Sequence, residues 1–265
     1  MKEIQVLSSD CYLGKLADVD DGISSFTHIA KVRYEGKQLR FHVKLFSDYK
    51  QLNNEITAYI LARLDGQPVP EHACIIKINK DDIVSAFPNV EAKGDAYAWA
   101  TNTISGKTPN TYFKEGTKEI ELALKSLAKI DGIASLIAFD NLIANQDRNT
   151  GNIILSGDLA KFWIFDHDQS PFKPDWTHQD LDPNSDTFCK LTAAIYPNGL
   201  PVSIRSLVVE AAKAHGANLV NMLDHTLTWW QHLLTPDEVK ALGDFYKNRA
   251  LCSESRLLKK MNLLC

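Results

Sequence analysis

An aspartate followed five positions later by an asparagine, with a second aspartate at the end of a nearby apolar strand, can do one kind of chemistry together. Phosphoryl transfer from ATP needs a carboxylate close to the acceptor hydroxyl and hard oxygen ligands for Mg²⁺ beside the phosphates. In the stretch Asn145-Gln146-Asp147-Arg148-Asn149-Thr150-Gly151-Asn152, Asp147 and Asn152 have that spacing. Ile153-Ile154-Leu155 leads away as a strand, Ser156-Gly157-Asp158 reads as a turn, and Phe162 to Phe165 returns to deliver Asp166. Asp147 is therefore the candidate catalytic carboxylate, and Asn152 and Asp166 are the candidate metal ligands. Arg148 is a candidate for pinning the catalytic loop. Asn, Asp and Gly are common loop residues in any protein, but packing alone does not explain a polar cluster bracketed by apolar strands. Asp168 competes with Asp166 for the metal. It stands close to Pro171, where the chain is expected to leave the strand, so it is expected to face solvent or to assist a second ion. His167 is expected to pack and hydrogen-bond structurally, and Asp140 to anchor the loop through backbone N–H groups.

Asn-x-Asp-Arg-x-x-x-Asn, preceded by Phe139-Asp140-Asn141-Leu142-Ile143-Ala144 and followed by Ile164-Phe165-Asp166-His167, resembles the HipA-like kinases. It is more distantly similar to the phosphoinositide kinases, which share an Asp-Arg-His-x-x-Asn loop. His42-Val43-Lys44-Leu45, then Asn54-Glu55, then Pro68-Val69-Pro70 follow the order of compact HipA-like proteins, so the resemblance covers about residues 20 to 170. Asn149 stands where that family usually has His. The resemblance implies an ATP- and Mg²⁺-dependent serine/threonine protein kinase with a protein substrate, and extends to an antitoxin-type partner. The motif chemistry by itself says phosphotransferase. A kinase for a small molecule or lipid headgroup, and a nucleotide-binding module without catalysis, remain alternatives.

In a kinase, a lysine at the end of an apolar strand reaches the α- and β-phosphates and is held by a helix glutamate. Lys44 has that position, and Glu55 borders the apolar face of the following helix, one turn after Leu52. The loop Asp20-Asp21-Gly22-Ile23-Ser24-Ser25 lies where the phosphates would be covered. Gly22 with the N–H groups of Ser24 and Ser25 can cradle a phosphate, or form a plain turn. The resemblance adds that this loop often carries a serine the kinase phosphorylates on itself. Gly106-Lys107-Thr108 echoes the end of a Walker A loop but lacks the earlier glycine, and Pro109 follows at once.

The elements that must position these groups change character along the chain. Ile4 to Leu7, Ile29 to Tyr34, Leu39 to Phe46, Ile75 to Ile78, Ile83 to Ala86 and Tyr97 to Ile104 read as strands, with a helix over Lys50 to Leu64. From 117 onward helices dominate, at Thr117 to Lys129, Ile133 to Ala144, Ser203–His215, Asn218–Leu234 and Pro236–Lys247. This order predicts an α+β chain, and the resemblance implies that it is a bilobal protein-kinase-like fold. A small strand-rich N-lobe at 1–103 precedes a larger helical C-lobe at 104–265, with the nucleotide between them. The 265 residues suffice for such a core. A net charge of −4 gives no support to a nucleic-acid or membrane-surface role, and Arg256 to Lys260 reads as a solvated helix face. Five scattered cysteines form neither a disulfide framework nor a zinc site. With no signal pattern and no apolar run near the ~18 residues of a membrane span, a cytoplasmic location is expected.

Overall fold

The computed structural model describes residues 4–19, 26–88 and 91–263. In chain order the elements are β1 (Gln5–Leu7), β2 (Tyr12–Asp18), β3 (Phe26–Tyr34), β4 (Lys37–Leu45), α1 (Tyr49–Leu64), β5 (Ala73–Ile78), α2 (Lys80–Ala86) and β6 (Ala96–Asn102). There follow α3 (Pro109–Glu115), α4 (Thr117–Leu127), α5 (Ile133–Leu142), β7 (Ile153–Leu155), β8 (Phe162–Ile164) and α6 (Lys190–Ile195). The helices α7 (Val202–Met222), α8 (Asp224–Leu233), α9 (Pro236–Leu251) and α10 (Ser253–Lys260) complete the chain. Two compact units result, one from Met1–Asp48 and Pro70–Ile104, the other from Tyr49–Val69 and Ser105–Cys265. Helix α1, expected with the N-terminal strands, groups with the second unit.

The first unit is a six-stranded sheet in the order β1-β5-β6-β4-β3-β2. Only the β1–β5 pair is parallel. Alternation puts Phe41, Val43 and Leu45 of β4 in a core with Ala30, Val32, Ile76, Ile78, Ala98 and Ala100. Lys44 therefore points to the opposite face of β4, where it is nonetheless buried, with Nζ 5.1 Å from the centre of the Phe46 ring. The expected strand at Ile83 to Ala86 is instead the end of α2. Asn79 precedes that helix, and Asp81 and Asp82 in its first turn favour it. These local signals outweigh the β-branched pair Ile83-Val84.

In the second unit, Ile137 and Ala138 of α5 pack against Val208, Val209 and Ala212 of α7 and Leu257 and Met261 of α10. Helix α7 is continuous across the gap expected after His215. Among the elements named above, β2, α3 and α6 escaped the sequence reading. Helix α10 is solvated on one face only, where Lys259 and Lys260 are exposed. Arg256 donates to Asn141 Oδ1 at 2.8 Å and to Pro183 O at 3.2 Å, and Lys260 pairs with Asp186 at 2.8 Å. Residues 106–108 clasp the hairpin. Lys107 and Leu155 exchange backbone hydrogen bonds, and a Cβ at Gly106 would lie 2.2 Å from Leu155 O, so only glycine fits there.

Candidate active site

The antiparallel pair β7–β8, with Ile153 opposite Ile164, gives the site a rigid apolar base. It sets Asn152, just before β7, across from Phe165, whose N–H donates to Asn152 O at 3.3 Å. The preceding loop is held by amide side chains acting in place of regular structure. Asn145 Oδ1 accepts the Asp147 N–H at 3.0 Å. Asn149 and Asn152 both donate Nδ2 to Asp147 O, at 2.9 and 3.0 Å, and Asn149 Oδ1 accepts from Gly151 N–H at 2.7 Å. Asn149 thus closes the loop on itself. The Asp147 carboxylate remains accessible, with about a third of its side chain exposed (32%). Its Oδ2 has only distant amide contacts, at 3.4 and 3.5 Å, and its Oδ1 is ion-paired with Lys190.

Arg148 is fully buried, and each of its five N–H donors has an acceptor. Nε and Nη2 grip the Asp140 carboxylate at 3.1 and 3.2 Å. Nη1 donates to Asn152 O at 3.0 Å and to Phe165 O at 2.7 Å, which ties both ends of the hairpin to the loop. Nη2 also meets His167 Nδ1 at 2.8 Å. A guanidinium can only donate, so Nδ1 is an acceptor, and His167 is packed and hydrogen-bonded within the protein. Asp140 anchors the loop through the Arg148 guanidinium and the Asn145 amide rather than through the expected backbone N–H groups. Burial pushes the Asp140 carboxyl up, against the pull of Arg148.

Asp166 adopts a left-handed backbone, φ 61°, and its neighbours are clamped on both sides. Phe165 O is held by Arg148, and His167 N–H donates to Glu55 Oε2 at 3.0 Å. Glu55, read from the sequence as a partner for Lys44, therefore reaches the backbone next to the candidate metal ligand. One residue earlier on α1, Asn54 donates to Asp168 O at 2.9 Å and Pro174 O at 3.1 Å and accepts from Trp176 Nε1 at 2.9 Å. Asp168 does not face solvent: it is buried, and its Oδ1 accepts from Gln169 Nε2. The chain turns inward at this point instead of leaving the hairpin.

The second unit thus brings together Asp147, Arg148, Asn152, Asp166 and Glu55. Lys44 belongs to the first unit, in the middle of its sheet. Gly22, Ser24 and Ser25 lie outside the described residues. Lys190 was not legible in the sequence, because it is 43 positions from Asp147 and begins a helix of six residues. Asp166 and the amide oxygen of Asn152 are hard donors that fit Mg²⁺, an ion usually held by one or two carboxylates together with substrate phosphates. Asn152 commits Nδ2 to Asp147, which fixes Oδ1 as the end turned elsewhere.

Among solved structures, the Helicobacter pylori proinflammatory kinase CtkA is similar to this chain, with a TM-score of 0.56 and 9% sequence identity. The match covers 96% of this chain and 99% of that one. Such a likeness establishes the fold: α+β and kinase-like, strand-rich before helical. No protein-family model and no curated protein sequence matches the chain.

Proposed function

We propose that this protein is an ATP- and Mg²⁺-dependent kinase of the HipA-like type that phosphorylates serine or threonine of a protein substrate. One observation carries the reading. An accessible carboxylate, Asp147, stands in a loop that Arg148 ties to the backbone of Asn152, one candidate metal ligand, and of Phe165, the residue before the other. The kinase-like fold shared with CtkA supports it.

In this reading Asp147 orients the acceptor hydroxyl and takes its proton as the acceptor oxygen attacks the γ-phosphorus. The bond from that phosphorus to the bridging oxygen breaks, and ADP leaves with the electron pair. Asn152 and Asp166 would hold Mg²⁺, which when bound neutralises charge on the phosphates. Arg148 touches none of the reacting atoms; it positions the loop and the hairpin relative to each other. Lys44 is assigned to the α- and β-phosphates, and Gly22, Ser24 and Ser25 to the covering loop, on the strength of the family resemblance.

The test is transfer of labelled γ-phosphate from ATP to the protein itself or to protein in a cell lysate. Asp147→Asn should lower transfer at least ~10²-fold, the usual cost of losing a general base, with ATP affinity nearly intact. Turnover by this variant at the wild-type rate would remove Asp147 from the mechanism.

A further inference from the structure

Lys190 carries the positive charge that meets the candidate catalytic carboxylate, and no sequence motif announces it. It stands at the first position of α6, between two anchored neighbours. Leu191 N–H donates to Arg148 O at 2.7 Å, and Cys189 Sγ accepts from Thr192 N–H at 3.4 Å. Three residues earlier Thr187 Oγ1 accepts from buried Asn141 at 2.8 Å. The backbone on either side of Lys190 is thereby tied to the catalytic loop and to α5, and its mobile part is the side chain, 55% exposed.

Two features separate Lys190 from a prop. The position of Asp147 is already fixed through its own backbone by Asn145, Asn149 and Asn152. Moreover, water screens both charges of this half-exposed ion pair and leaves it weak, so the ammonium can exchange partners at little cost. When an acceptor hydroxyl docks on Asp147, its oxygen lies about 2.5–3.0 Å from the carboxylate, and the phosphoryl group lies beyond it in line. An ammonium tethered beside Oδ1 is then within side-chain reach of the phosphoryl oxygens.

We infer that Lys190 is a catalytic cation for this transfer: it rests on Asp147 until the acceptor hydroxyl arrives, then contacts the transferring phosphoryl group. This rests on the phosphotransferase reading. Lys190 neither gives nor takes a proton in this step; the acceptor's proton goes to Asp147 and the bridging oxygen's electron pair leaves with ADP. The charge that Lys190 neutralises is the one spread over the phosphoryl oxygens in the transition state.

The full-length chain with Lys190→Met and Lys190→Arg tests it. Lys190→Met keeps the length of the side chain and removes its charge. It should lower transfer at saturating ATP by roughly 10²–10³-fold, the usual cost of losing one transition-state donor, while Lys190→Arg retains a measurable fraction. Binding gives a readout independent of turnover. Lys190→Met should weaken affinity for Mg-ADP-aluminium fluoride, a mimic of the transferring group, at least about tenfold, and affinity for ADP by less than about twofold. An active wild type matched by an equally active Lys190→Met, or equal loss of both affinities, overturns the role of Lys190 alone. A wild type that transfers no phosphate overturns the phosphotransferase reading, and this inference with it.

Discussion

At Asp166 a side chain that fits a metal sits on a backbone that few residues tolerate. Left-handed φ is costly for most L-residues and mildest for Asn and Asp, whose short polar side chains bond locally. Asp166→Asn should therefore leave the fold intact, as judged by the thermal midpoint, while eliminating Mg²⁺-dependent transfer. Asp168→Ala should behave in the opposite sense. It removes a buried carboxylate, so stability should fall by about 1–2 kcal/mol, while a measurable fraction of transfer remains. Sensitivity in the reverse order would place the metal ligand two residues later. Residues within the Asp147–Asp166 stretch were legible because their chemistry depends on local spacing and a short hairpin. The burial of Asp168 was not, because Asn54 draws the 168–176 segment inward from 114 positions away. Nor was Lys190, whose partner is fixed by tertiary packing.

Among the elements, β2 and β3 carry a concealed sensitivity to acid. His28 of β3 is fully buried, with its Nε2 2.7 Å from Tyr12 Oη of β2 and its ring edge-on to Phe87. Burial first, then the charge of Lys15, lowers its pKa to about 4, against a weaker opposing pull from Asp18. The folded chain therefore keeps the ring neutral where the unfolded chain, with a pKa near 6.5, binds a proton. Stability present above that range is lost as pH falls from about 6.5 toward 4. Urea unfolding should show about 2 kcal/mol less stability at pH 5 than at pH 7 from this group, and His28→Gln should flatten that difference. An unchanged slope in His28→Gln would assign the acid sensitivity elsewhere. Helical period revealed α1 and set Glu55 beside its apolar face, but not that Asn53, Asn54 and Thr57 are buried as well. Beyond its end, Asp65 bonds His215 Nδ1 of α7 at 2.7 Å, and His215 Nε2 lies 3.2 Å from Ser135 Oγ of α5. The string has the residue types of a hydrolase triad, yet Gln67 Nε2 donates to Ser135 Oγ at 2.9 Å, and His215 and Asp65 are almost wholly enclosed. It braces three segments together.

For the molecule as a whole, the change from strand period to helix period announced an α+β chain, strand-rich before helical, and the resemblance of the Asp147 motif implied that it is kinase-like. The discontinuity of the second unit was hidden, because no composition shift marks it. Among the described residues no helix is long and apolar enough to cross a membrane. A cut near 103, where the sequence suggests a boundary, would strip α1 from the second unit. It would remove the partners of His167 N–H, Asp168 O, Trp176 Nε1 and Trp230 Nε1 at one stroke. The fragment 105–265 should accordingly lack a cooperative thermal transition and be cut rapidly by protease. Cooperative unfolding by that fragment would show that α1 is dispensable. The same connectivity has a consequence on the ribosome. Thr57 is translated 173 residues before Trp230, its hydrogen-bond partner. At ~5–20 residues per second, the apolar side chains of α1 wait roughly 10–35 s for that partner to be made. Ile56, Ile60 and Leu61, each almost fully enclosed in the finished protein, are exposed to solvent or to a chaperone for that interval. The helix that later holds the candidate metal loop in place is thus one through which the nascent chain can aggregate.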